Sequence, residues 1–145
     1  MTMSSSRRPI AALILGALLA SLAAWVGPLL DPPALARWTV QTHEENDFRA
    51  AYAFMAIRHL PMFLLAVAAG RLIFQVLEKP SVRLVAASAL PWLLYVVVTG
   101  VMESVAIGEK PFEWVVYQPA YFIWPHFVAI PAGLCAASRM VNRRR

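Results

Sequence analysis

The chain predicts an all-α membrane protein with four transmembrane helices and both termini cytoplasmic, and three observations carry that reading. First, four apolar stretches, about 10–30, 52–70, 84–102 and 114–136, each come close to the ~20 residues that cross a bilayer. Second, 60% of the 145 residues are hydrophobic and 14% are charged, which is too apolar for an ordinary water-soluble domain. Third, the charges between the stretches sort by sign. On the side shared by the two ends lie Arg7, Arg8, Arg71, Lys79, Arg83, Arg139, Arg143, Arg144 and Arg145, opposed by Glu78 alone, for a net +8. The other side sets Arg37, Arg49 and Lys110 against seven acids, for a net −4, with Arg58 left inside a helix. Basic flanks stay in the cytoplasm, so an even number of crossings with both ends inside follows. The +5 net charge is therefore topological, and nucleic acid is not an expected partner. Alanine, arginine and proline usage with short loops points to a bacterial inner membrane.

The first stretch follows Arg7-Arg8 and opens at Pro9, where a first-turn proline is tolerated because its missing donor would be unpaired anyway. It is about twice the length of a signal-peptide core, and Asp31-Pro32-Pro33 separates it from the cleavage-like Ala34-Leu35-Ala36. An uncleaved anchor is the expectation. Pro9-Ile10 after the paired arginines is a poor match to a twin-arginine signal. Ala12, Gly16, Ala20 and Ala24 form a four-residue stripe of small side chains, the kind of face on which helices pack in lipid. That stripe is expected to contact a second copy or a larger membrane partner, because so small a bundle has little interior of its own.

The outer loop, 31–51, holds a possible interfacial helix over 34–42 and the acidic cluster His43-Glu44-Glu45-Asn46-Asp47. Its oxygen donors suit a hard cation, but their spacing matches no defined calcium loop, so a solvated acidic loop is the reading. The second stretch contains Arg58-His59 followed by Pro61. Placing the span at 52–70 lets Arg71 close it at the cytoplasmic interface and leaves 71–83 as a cytoplasmic elbow with 72–77 amphipathic. A frame of 60–77 would instead put Arg58 and His59 outside and Arg71 within. The third stretch has Pro91 at its middle and a polar line, Ser88, Trp92, Tyr95, Thr99 and Glu103, in three- and four-residue steps on one face. The outer loop 103–113 follows. The fourth stretch carries Pro119, Pro125 and Pro131, each removing a backbone donor, so a bent helix packed against protein or water is expected. Trp25, Tyr52, Trp114 and Tyr117 would make the outer aromatic belt. No repeat relates the two halves, so residues 1–145 form a single domain.

Ionisable groups within a span cost about 2.5–3.5 kcal/mol each on insertion scales and therefore face partners or cavities. Arg58 lies about 9 Å below the outer edge, counted from Tyr52 at ~1.5 Å per residue. From there it can snorkel to outer headgroups, reach Glu103, or bind an anionic solute. With Arg58, His59, Glu103, Gln118, Tyr121 and His126 at similar depths on three helices, an outward-facing polar pocket is one reading. An aromatic packing face, its hydroxyls satisfied by carbonyls that the prolines free, is the other. His59 and His126, about 10 and 13 Å deep at that same ~1.5 Å rise, also match what two axial ligands of a b-type haem would require. Apart from that haem reading, no cofactor or metal is expected. Arg139, Arg143, Arg144 and Arg145 should contact anionic lipid headgroups at about 1 kcal/mol per charge. Cys135 stands alone and has no disulfide partner within the chain. No phosphate loop, paired-histidine metal signature or nucleophile elbow is present. The expectation is a non-catalytic transport or accessory subunit, with haem-based electron transfer and a purely structural role as rivals.

Overall fold

The computed structural model describes residues 7–30, 48–78, 80–106, 108, 110 and 120–143. Their regular structure is helical throughout: α1 (Arg8–Val26), extended by a 3-10 turn (Gly27–Leu30), α2 (Phe48–Val76), α3 (Val82–Ala106) and α4 (Ala120–Arg143). Three stretches are long and apolar enough to cross a membrane: Arg8–Val26, His59–Val76 and Val82–Ala106. The side chains at 121–124 and 126 of α4 lie outside the described residues. The helices run through Pro61, Pro91, Pro125 and Pro131 without a break.

Boundaries differ from the sequence expectation most at α2. Residues 48–51, expected in the outer loop, and 72–76, expected in the cytoplasmic elbow, all belong to one continuous helix. The stretch His59–Val76, apolar enough to cross a membrane, includes Arg71. The connection to α3 is correspondingly short. Leu77 N–H donates to Ile73 O at 2.9 Å and Glu78 N–H to Gln75 O at 3.3 Å. Glu78 then takes a left-handed conformation at φ 62°, which ends the helix as a C-terminal cap does. Pro80 cannot resume a helix, and Ser81 caps the next one by accepting a bond from Leu84 N–H at 3.4 Å. α4 runs on to Arg143, beyond the expected end at 136. The residues expected to begin that span, 114–119, lie outside the described ones.

Helices adjacent in sequence are not the main packing partners. α1 packs on α3 and α2 packs on α4, while α3 also meets α4 and α2 touches α1 more lightly. Arg8 Nη2 pairs with Glu78 Oε2 at 3.2 Å, and Asn142 Nδ2 donates to Pro80 O at 3.4 Å. The start of α1, the α2–α3 turn and the end of α4 therefore meet at one end of the bundle, which carries Arg7, Arg8, Arg71, Arg83, Arg139 and Arg143.

The distribution of side-chain size fits a bundle surrounded by lipid. On α1 the buried residues are Ala12, Gly16, Leu19, Ala20 and Ala23, while Ile14, Leu18 and Trp25 are more than half exposed. On α2 Leu60, Leu64 and Leu72 point outward, while Ala66 and Gly70 are inside. Water would drive the opposite sorting. In lipid, apolar bulk outside costs nothing and small residues inside let backbones approach.

Candidate functional site

Two close helix crossings organise the interior. At the first, Gly16 of α1 lies against the backbone of Ser88 on α3. A Cβ built on Gly16 would stand 2.8 Å from both Ser88 C and Cα and closer still to its carbonyl oxygen. The small-residue stripe is thus covered within the chain, with Ala12 and Ala20 buried and Ala23 buried in place of the half-buried Ala24. This corrects the expectation that Ala12, Gly16, Ala20 and Ala24 face another chain. A strict four-residue step drifts off a 3.6-residue helix face, which is why position 23 replaces 24.

At the second crossing, a Cβ on Gly133 would lie 2.6 Å from both Ala66 Cβ and Phe63 O, and one on Gly70 would lie 2.8 Å from Ala137 Cβ. The same offset of 67 residues relates 66 to 133 and 70 to 137, so α2 and α4 run parallel in register. The sequence signal for this seam is the pair of small residues four apart on each helix, Ala66/Gly70 and Gly133/Ala137. Ala129 and Gly133 are buried, and α2 fills the space over Gly133. The outward pocket read from the sequence would lie nearer the other end of the helices.

That end holds the sequence-derived site residues, and the structure places them unequally. His59 is buried at 8% exposure on α2. Glu103 is exposed on α3, outside the packed face formed by Leu84, Ser88, Ala89, Trp92, Val96 and Ser104. The polar line on α3 accordingly turns outward along its length: Ser88 and Trp92 are buried, Tyr95 and Glu103 exposed. Thr99 Oγ1 donates within its own helix, lying 2.8 Å from Tyr95 O and 3.2 Å from Val96 O. Arg58, Tyr121 and His126 occupy helical positions in α2 and α4, but their side chains lie outside the described residues, as does Gln118 altogether. Arg139 and Arg143 are exposed at the end of α4, and Arg144 and Arg145 fall outside the described residues.

Two hydroxyls on α3 are buried, one of them on the polar line named from the sequence. Ser88 Oγ and Ser104 Oγ are enclosed and have no hydrogen-bond partner among the described residues. Ser88 is explained by the crossing, where a small residue lets Gly16 reach its backbone. Ser104, at 1% exposure near the end of α3, lies toward the same end of the bundle as His59. The described residues contain no group of three or more His, Cys, Asp or Glu side chains suited to a metal ion. No protein-family model, curated protein or solved structure matches this chain.

Proposed function

We propose that this chain is a four-span inner-membrane protein of bacterial type with both ends cytoplasmic. In this reading it serves as a non-catalytic transport or accessory subunit whose polar pocket opens at the end away from the basic cluster. The observation that carries it is His59, a buried ionisable residue two turns from the close Ala66–Gly133 contact, on the same helix as Arg58. Arg58, Gln118, Tyr121 and His126 complete the lining, with Glu103 at its rim. In a low-dielectric interior each such polar contact is strengthened, and the arginine selects a negative group. Anionic lipids bind Arg139, Arg143, Arg144 and Arg145 at the opposite end. A second copy or a larger membrane protein docks on the outward apolar faces, since the small-residue stripe is already covered.

Mass spectrometry of the protein purified in mild detergent tests the pocket. A small anionic molecule or partner should accompany the wild type and be lost from Arg58→Leu at unchanged membrane abundance. An Arg58→Leu protein with the same companions removes the pocket from consideration.

The second reading, haem b held by His59 and His126, is favoured by one observation: the α2–α4 register puts the two positions level. Width weighs against it. The Gly133 contact with the Phe63 backbone holds the helix axes to about 8 Å, the low end of ordinary helix packing. A porphyrin with a histidine ligand on each face needs the two helices farther apart than that. An absorption spectrum after haem-replete expression decides it, because no Soret band means no haem.

A further inference from the structure

The basic end of the bundle has a depth as well as a sign. Asn142 Nδ2 meets Pro80 O at 3.4 Å, which puts those two residues at one level. Arg139 lies three residues before Asn142 and Arg83 three residues after Pro80. α4 ends here and α3 begins here, so both steps lead into the bundle, by about 4.5 Å at ~1.5 Å per residue. The register of α2 on α4, Ala66 with Gly133 and Gly70 with Ala137, sets Arg71 opposite Ser138, about 6 Å inward on the same count. Three arginines on three helices therefore stand within about 1.5 Å of one level.

Their surroundings differ from those of Arg8. Arg8 pairs with Glu78, whereas Arg71, Arg83 and Arg139 have no carboxylate partner among the described residues, and Arg83 and Arg139 are exposed. Toward the other end, α3 carries no charged residue from Leu84 to Met102, and the next one, Glu103, is exposed. From Arg83 to Glu103 is about 30 Å along a helix, the thickness of a bilayer's hydrocarbon core. Unpaired cations at one level, one core thickness from the next charge, mark an edge of the apolar solvent.

We propose that Arg71, Arg83 and Arg139 form a collar that binds the phosphodiester groups of anionic phospholipids, with the inner-leaflet phosphates at its level. The collar rests on the reading of the chain as a membrane protein with cytoplasmic ends, and it extends lipid recognition from the end of α4 to α2 and α3. Each guanidinium offers a forked donor pair to phosphate oxygens, and its charge favours a lipid of net negative charge over a zwitterionic one.

Two measurements test it on the full chain. Leu72→Cys, Val82→Cys and Met140→Cys, made singly in a Cys135→Ser background, replace exposed residues one step to the cytoplasmic side of each arginine and leave the arginines in place. Nitroxides there, in vesicles of phosphatidylglycerol and phosphatidylcholine, should report one headgroup depth to within a helical turn, ~5 Å, by collision with oxygen and a water-soluble nickel chelate. A label at Leu94→Cys, about 16 Å deeper than Arg83, should lie in hydrocarbon. Unequal depths at the three positions overturn the collar while the membrane reading stands. A water-exposed label at 94 overturns the membrane reading and the collar with it. In the second measurement, native mass spectrometry follows detergent-solubilised protein titrated with phosphatidylglycerol, phosphatidylcholine or inorganic phosphate. Arg71→Gln, Arg83→Gln and Arg139→Gln should each weaken phosphatidylglycerol binding about fivefold, with phosphatidylcholine binding unchanged. Lys110→Gln should match the wild type. Equal binding of the two lipids by the wild type, or inorganic phosphate displacing phosphatidylglycerol, overturns the proposal.

Discussion

Gly16→Ala is the most direct test of the α1–α3 crossing. The new methyl would sit 2.8 Å from Ser88 C and Cα, and these are backbone atoms that no rotamer change can move aside. Carbon atoms rest at about 3.5–4.0 Å, so the two helices must part by roughly 0.7–1.2 Å. A gap of that size forfeits about a quarter to a half of each dispersion contact, worth ~0.1–0.2 kcal/mol apiece. Spread over some tens of contacts along Ala12, Leu19, Ala20 and Ala23, the loss comes to about 1–3 kcal/mol, in line with measured costs of overpacking. Alanine's better helix propensity returns at most about 1 kcal/mol. The net expectation is a destabilisation of about 1–2 kcal/mol. Gly27→Ala is the matched control. Its Cβ would meet only the Met62 methyl, at 3.2 Å, and that flexible side chain can swing away. Titration of detergent-solubilised protein with sodium dodecyl sulfate, followed by tryptophan fluorescence, measures both. If Gly16→Ala is as stable as Gly27→Ala, the crossing is not where the structure puts it.

Other expectations follow from the two ends and the second seam. Glu78→Gly should stabilise the turn by about 0.5–1 kcal/mol, because glycine adopts a positive φ without the ~1–2 kcal/mol that a side chain pays. Glu78→Gln, which loses only the partly exposed pair with Arg8, should change stability by less than about 1 kcal/mol in the same titration. Leu134→Ala, fully buried beside Gly70, should cost about 2 kcal/mol, the low end for a buried leucine, because lipid has already removed the contribution of transfer from water. Reporter fusions at the two chain ends should report the same side of the membrane, as the Arg8–Glu78 and Asn142–Pro80 contacts at one end of the bundle require. Fusions on opposite sides would contradict them.

The helices were legible because length and hydropathy are local properties, and proline at position 9 marks a real start. The importance of Gly16 was legible too, since a glycine among alanines is a packing signal in lipid. Its partner was not. A small-residue stripe says that some backbone comes near, and the choice between α3 and another chain depends on contacts remote in sequence. Helix faces were hard to assign for a related reason. With apolar residues on every side of α3, the outward turn of Tyr95 and Glu103 has no polar contrast to announce it. Three- and four-residue steps kept these residues on one line in the sequence reading, while Val96 and Ser104 took the buried places. The α2 helix runs on past Arg71 into the expected elbow, and its stop signal is Glu78 with Pro80 behind it.

The pairing of α1 with α3 and of α2 with α4 gives the bundle two unlike seams. The first is closed by Gly16 on the Ser88 backbone at its middle, and Ala12, Ala20 and Ala23 extend it toward both ends. The second is closed by Gly133 and Gly70, and on α2 it continues through buried Met62 to buried His59. Substitutions in the first seam should therefore act on stability alone. Those at His59 and beyond should change what the protein binds, and a polar layer adds little stability that a well-packed apolar pair would not supply. That asymmetry gives the pocket a signature separable from folding: His59→Leu should leave the unfolding free energy within about 1 kcal/mol of the wild type while changing what copurifies with the protein. A large loss of stability in His59→Leu would mean that the histidine serves the fold instead, and the second seam would then be a packing surface along its whole length.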